Sequence, residues 1–326
     1  MRYKLKTYDI YNLGQRDNQE DSLFPSYGKS TSNDRLFIVC DGIGGHSSGE
    51  IASKIVCETM SQSIMLSNPD AEGVFCKDDF QKALSAAYDE LDKNDDGAFK
   101  KMGTTMTFLK LHSNGCTIAH IGDSRVYHIR PGKTADNTII KHKTYDHSLV
   151  NDLVRIGELT EEEAKTSTVR NVITRAMQPG MERRPKADVY ETADIQSGDY
   201  FMLCTDGILE DMEDEAIQHI FSDEIPDAKD KRDKIVELTQ NNKDNHTAII
   251  VHITEVVGSV ATSESNENDC SVNILAKQDE AASENNPNKD SLSYKDIKKY
   301  STISALIAVI ALVGFIIKTV IKAITE

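Results

Sequence analysis

The chain has 326 residues, with 53 acidic against 37 basic side chains, a formal net charge of −16 and no tryptophan. A surface this acidic repels polyphosphate backbones, which argues against a nucleic-acid binder. With 39% hydrophobic residues the chain can build one large domain or two ordinary ones.

The first ten residues, MRYKLKTYDI, are charged and lack an apolar stretch, so they do not read as a secretory signal. GQRDNQEDS follows at 14–22, dense in polar groups. LFIVC at 36–40 is a continuous apolar run and predicts a buried strand that stops on Asp41-Gly42. Helical periodicity marks 49–65 and 78–94, then strand-like runs recur at 104–111 and 116–122. Strands are again predicted at 200–205 and 247–253, with a helix at 231–242 between them. Strands adjoin strands in places and helices elsewhere, which predicts an α+β domain over 1–255. Six cysteines without a CxxC pair, three of them in apolar runs, predict reduced, buried thiols.

The composition then changes. Residues 256–297 are rich in Ser, Asn, Glu and Asp, too polar to bury a core, and read as a flexible acidic linker. Ile303 to Ile317 carries no charge, and 301–321 matches the ~20 residues that a helix needs to cross a bilayer. A buried core helix is the competing reading, although a polar stripe is missing. The expectation is a single-pass tail anchor. Lys295, Lys298 and Lys299 before it, and Lys318 and Lys322 in its far end, weakly favour a cytoplasmic position for the 1–255 domain.

Within the domain, acids gather at strand ends. Asp41 follows LFIVC, Asp123 follows TIAHI, Asp206 follows FMLCT, and Asp244-Asn245 precedes TAIIVHI; Glu20-Asp21 closes the polar stretch near the start. One Asp-Gly is an ordinary turn. Several acids at the ends of buried strands need a counter-charge. Few Arg or Lys neighbour them, whereas hard divalent cations take oxygen ligands. The glycines after Asp41 do not make a dinucleotide loop, because Ser47 takes the third glycine position and Asp41 would repel a pyrophosphate. Gly28-Lys29-Ser30 lacks the earlier glycine and strand of a Walker loop, and no GxSxG elbow surrounds Ser47 or Ser48.

In order along the chain stand GQRDNQEDS, CDGIGGHSSGEIAS, MGTT, IGDSRVY, YDHSLVNDLVRIGELTEEEA, NVITRAM, SGDYFMLCTDGI and DNHTAII. This ordered set resembles the bacterial branch of the metal-dependent PP2C-type protein serine/threonine phosphatases, over essentially the whole globular part. The resemblance implies an α-β-β-α sandwich of two antiparallel sheets and two, or even three, Mn²⁺ or Mg²⁺ ions at one end. It implies that Asp41 bridges two ions and that Gly42 offers one of them its carbonyl. Asp206 and Asp244 match further ligands of the first ion, Glu20 the acid of the second, and Asp123 that of a third. Asp123 beside Arg125 also reads as a structural ion pair. Arg16 matches the phosphate clamp, Asp21 a supporting acceptor, and Asn245 completes the DN pair. Glu210 stands where the family has Asp or Asn, which puts a third ion's geometry in doubt. Ile43 takes the place of the histidine of eukaryotic relatives, so His46 reads as structural rather than as a proton donor. His147 opens the flap, roughly 146–180, which would govern substrate choice.

The function so implied is hydrolysis of phosphoserine and phosphothreonine in proteins by a water activated between metal ions, opposing a serine/threonine kinase. The alternative is a pseudophosphatase that binds phosphoproteins at a membrane; a decayed site, however, would have lost an acid. A hydrolase of small phosphate esters is a third reading.

Overall fold

A computed structural model describes residues 1–44, 48–95, 97, 101–210 and 212–258. In chain order the elements are β1 (Arg2–Asn12), β2 (Ser22–Phe24), β3 (Leu36–Cys40), β4 (Gly42–Ile43), α1 (Ser48–Ser67), α2 (Lys77–Lys93), β5 (Gly103–Thr104), β6 (Met106–His112), β7 (Gly115–Ile121), β8 (Arg125–Arg130) and β9 (Ile139–Lys143). They continue with α3 (Leu149–Arg155), α4 (Glu161–Thr166), β10 (Asp188–Thr192), β11 (Tyr200–Cys204), α5 (Asp214–Phe221), α6 (Ala228–Thr239) and β12 (His246–Val257).

Two five-stranded antiparallel sheets form, in the orders β1-β12-β11-β8-β9 and β10-β7-β6-β3-β2. Successive side chains of a strand point to opposite faces. Phe37 and Val39 of β3 therefore face the other sheet and meet Phe201, Leu203, Ile249 and Val251 of β11 and β12. Leu36, Ile38 and Cys40 face outward and are covered by Val56 and Met60 of α1 and Phe80 and Tyr88 of α2. On the other side Tyr127, Met202 and Ile250 pack under Ile217 and Phe221 of α5 and Ile235 of α6. The order of layers is helix, sheet, sheet, helix, with a core in each gap. This is why the strands read as unbroken apolar runs: both faces are buried.

The predicted flap holds α3, α4 and the turns around them. Ser148 caps α3 by accepting from the Asn151 amide, and Thr160 with Glu163 forms a capping box on α4. A bridge of Ser148 to Ile173 ties its two ends together, and one of Met177 to Thr104 fastens it to β5.

Cys40, Cys57, Cys116 and Cys204 are free and buried. These include the three in apolar runs expected to be reduced; among the described residues Cys76 alone departs from that expectation and is disulfide-bonded, a pairing that short-range spacing does not reveal. No helix among the described residues is long and apolar enough to cross a membrane. The expected linker beyond residue 258, the expected span at 301–321 and His46 lie outside the described residues.

Candidate active site

The acids converge because each closes or opens a strand at the same end of the sandwich. Asp41 follows β3, and its backbone is held on both sides. Its N–H donates to Thr105 Oγ1 at 3.0 Å, and its carbonyl accepts from the Thr105 amide at 2.9 Å and from Thr104 Oγ1 at 2.8 Å. Thr105 Oγ1 also meets Ser124 Oγ at 2.7 Å, which ties the Asp41 turn to the Asp123 turn. Asp206 opens a short 3₁₀ turn after β11, with its carboxyl beside that of Asp41. Asp244 precedes β12, and its Oδ2 accepts from Arg16 Nη2 at 2.6 Å.

Arg16 reaches Asp244 because the loop after β1 turns back sharply at Gly14. That residue has φ +63°, and a Cβ on it would stand 2.1 Å from the Asp244 carbonyl oxygen. Asn245 staples the same loop: its Nδ2 donates to the carbonyls of Leu13 and Asn18, and its Oδ1 accepts from the Glu20 amide at 2.8 Å. Ser53 of α1 donates to the Glu20 carbonyl at 2.6 Å, and a Cβ on Gly49 would lie 3.0 Å from the Glu20 carboxyl carbon. Glu20 thus lies against the first turn of α1, where the helix end favours a carboxylate.

Electrostatics mark the crowding. Burial, then Asp206, Asp21, Asp123 and Asp244, drive the Asp41 carboxyl well above the usual carboxylate range. Burial, then Asp244, also raises Asp206. Burial pushes Asp21 up to about 7, against a hydrogen bond from Thr205 Oγ1 at 3.1 Å. Burial and Asp206 likewise push Asp123 up to about 7. The ion pair of Asp123 with Arg125 does not form. Arg125 instead forks onto Asp146, with two contacts of 2.7 Å. Asp123 Oδ1 and Asp206 Oδ1 are buried without a hydrogen-bond partner. Carboxylates so placed cannot all ionise unless a cation joins them. The donors are all oxygen, the set that Mn²⁺ and Mg²⁺ favour, so the residues fit such ions.

Glu210 does not point into this group as a free acid. Its Oε2 accepts from the Lys243 amide and its Oε1 from the Asp244 amide, both at 3.0 Å. Thr105, Ser124 and Ser53 carry no role in the sequence reading. Their signal was a hydroxyl inside the quoted blocks MGTT, IGDSRVY and GEIAS, next to an acid or on its facing strand.

A second cluster joins His120, His147 and Asp188. His147 Nδ1 accepts from the Gly122 amide at 3.0 Å, and its Nε2 stands 3.1 Å from Asp188 Oδ2. Arg175 Nη1 lies 3.0 Å from Asp188 and 3.1 Å from His147 Nε2. A guanidinium already supplies the positive charge there, so His147 joins the Asp123 turn to the flap rather than holding an ion.

A family model described as protein phosphatase 2C matches residues 13–251. Protein phosphatase PhpP of Streptococcus pneumoniae is 31% identical over 250 residues, covering 76% of this chain and 96% of the relative. Serine/threonine protein phosphatase PstP of Mycobacterium tuberculosis is 30% identical over 247 residues, covering 74% of this chain and 43% of the relative. The crystal structure of the M. tuberculosis phosphatase PstP/Ppp superposes with a TM-score of 0.62 at 28% identity, over 77% of this chain and 99% of that one. A crystal structure of the PstP catalytic domain in complex with two manganese ions gives 0.61 at 27% identity, over 78% of this chain and all of that one.

Proposed function

The chain belongs to the protein phosphatase 2C family, and from that premise we infer that it is a metal-dependent protein serine/threonine phosphatase. The observation that carries the reading is the pair of buried, unpartnered oxygens on Asp206 and Asp123 inside a group of mutually repelling acids. On this reading Asp41 would hold two ions, with Asp206 and Asp244 for the first, Glu20 for the second and the Gly42 carbonyl for one of the two, and Asp123 would serve a third. When bound, such ions supply Lewis acidity and lower the pKa of a water near phosphorus.

Arg16 presents the phosphate clamp. One edge of its guanidinium is fixed by Asp244, while the side chain stays 53% exposed, which leaves N–H donors free to fork onto phosphoryl oxygens. Asp41 is held by Thr104 and Thr105 through its backbone N–H and carbonyl, which fixes the turn that presents its carboxylate. The substrates are phosphoserine and phosphothreonine in proteins, placed there by an opposing serine/threonine kinase.

The test is hydrolysis of a phosphothreonine peptide. EDTA abolishes turnover, Mn²⁺ restores it, and Asp206→Asn removes it while the protein stays folded. Full activity of Asp206→Asn would overturn the reading.

The apolar run within 301–321 supports a tail anchor with the phosphatase domain in the cytoplasm. The full chain then stays in membranes through alkaline carbonate, and a chain ending at residue 300 does not. Equal release of both refutes the anchor.

A further inference from the structure

Glu210 is an exposed acid whose two oxygens are both committed to backbone. They accept the consecutive amides of Lys243 and Asp244 at 3.0 Å each. Those amides belong to the segment that delivers Asp244 to the site. The same segment is gripped from its other side: the Lys243 carbonyl accepts from the Gln15 amide at 3.0 Å, and Asp244 Oδ2 accepts from Arg16. Asp244 Oδ1 accepts from the Asn245 amide at 2.8 Å. The carboxylate of Asp244 therefore has a fixed direction only if its own backbone is fixed, and Glu210 supplies the fork that fixes it. Nearby, Asn242 Nδ2 donates to the Gly207 carbonyl at 2.6 Å, so the Asp206 turn and the Asp244 segment are locked together at two points.

We propose that Glu210 is a positioning residue: its carboxylate clamps the Lys243–Asp244 backbone and so sets the affinity of the ion that Asp206 and Asp244 share, without being a ligand itself. This rests on the reading of Asp244 as a metal ligand. The longer side chain of Glu, compared with Asp, is what lets one carboxylate span two successive amides from the far side of the Asp206 turn. Ionised, it forms charge-assisted bonds with both. Outer partners of this kind, when removed, cost roughly 10–100-fold in metal affinity.

The experiment titrates the metal-free full chain with Mn²⁺ by calorimetry, for the parent and for Glu210→Gln, Glu210→Ala and Asp244→Asn. Glu210→Gln keeps the shape but turns one acceptor into a donor facing an N–H. The expected result is an affinity loss of roughly 10–100-fold in both Glu210 variants, with the number of ions bound and the metal-free melting temperature unchanged. Excess Mn²⁺ then restores kcat of Glu210→Gln but not of Asp244→Asn. Loss of one ion from the stoichiometry, with the remaining affinity intact, overturns the proposal by making Glu210 a ligand. Unchanged affinity, with or without a lowered melting temperature, also overturns it. If Asp244→Asn binds Mn²⁺ like the parent, the metal-site reading fails instead.

Discussion

Gly42 sits in a tight seat directly after Asp41, and Gly42→Ala tests whether the acids are held by close backbone approach. A Cβ on Gly42 would stand 2.4 Å from the Glu20 carbonyl oxygen and 2.4 Å from that of Gly49, where ordinary contact begins at 3.4 Å. The shortfall is 3.4 − 2.4 = 1.0 Å against two separate backbone segments, and neither is the movable end of a side chain. Overpacking of this kind costs about 1–3 kcal/mol. At about 2–4 °C per kcal/mol for a domain of this size, the melting temperature falls by roughly 2–12 °C. The protein therefore stays folded at 25 °C. The catalytic loss is larger, because the displaced segments carry Glu20 and the start of α1, and Gly42 itself follows Asp41. A misplacement of about 1 Å costs on the order of 10²-fold in rate. The assay pairs thermal melting with turnover of a phosphothreonine peptide across a Mn²⁺ titration. Gly28→Ala, with nothing within 4 Å of the new Cβ but φ +68°, is destabilised by backbone strain alone and keeps parent turnover, which separates lost stability from a misplaced site. If Gly42→Ala keeps its melting temperature and turns over within twofold of the parent, the close-approach argument is refuted.

Arg16→Lys keeps the charge but loses the fork, so kcat/KM falls at least tenfold, about 1.4 kcal/mol, read in peptide kinetics at saturating Mn²⁺; equal kinetics would remove Arg16 from phosphate binding. Asp123→Asn tests the repulsion in the metal-free protein. The Asp123 carboxyl is pushed up to about 7, so the folded state keeps a proton that the unfolded state has already lost. That contribution is fully present below the ordinary carboxylate pKa of about 3.9 and is lost as pH rises through 7. Asn has no such proton to lose. The stability advantage of Asp123→Asn therefore grows from pH 4 to 7, by at most about 1.4 kcal/mol per pH unit, and shrinks when Mn²⁺ is added. Denaturant melts at several pH values check this, and a difference that is flat with pH would refute it.

The parts of the molecule differ in how legible they are, for physical reasons. Strands β3, β6, β7, β11 and the start of β12 are buried on both faces, so they show as unbroken apolar runs, and the helices that cover them keep a 3.6 period. Strand β1 is different: Arg2, Lys4 and Lys6 alternate with Tyr3 and Leu5 along a sheet edge, and that alternation does not stand out in a charged N-terminus. The acids are legible because a carboxylate directly after an apolar run is costly without a partner, which makes Asp41, Asp206 and Asp244 conspicuous one at a time. Adjacency misleads where tertiary contacts decide. Arg125 lies two residues from Asp123 yet commits the Nε/Nη2 edge of its guanidinium to Asp146 and its Nη1 to the Tyr127 hydroxyl.

What the sequence hides is the set of groups that act on backbone. Thr105 on the Asp41 amide, Ser53 on the Glu20 carbonyl and Glu210 on the Asp244 amide join segments 64, 33 and 34 residues apart. A backbone partner has no side-chain identity, so no complementary residue appears in the sequence to announce the pairing. Yet these contacts decide where the acids point. Five carboxylates on free loops would drift apart under their own repulsion when no ion is bound. Anchored through their amides and carbonyls, they stay together with two oxygens unpartnered, and the repulsion stored in the folded state is what an incoming divalent ion relieves. Affinity for the ion then depends on residues that never touch it.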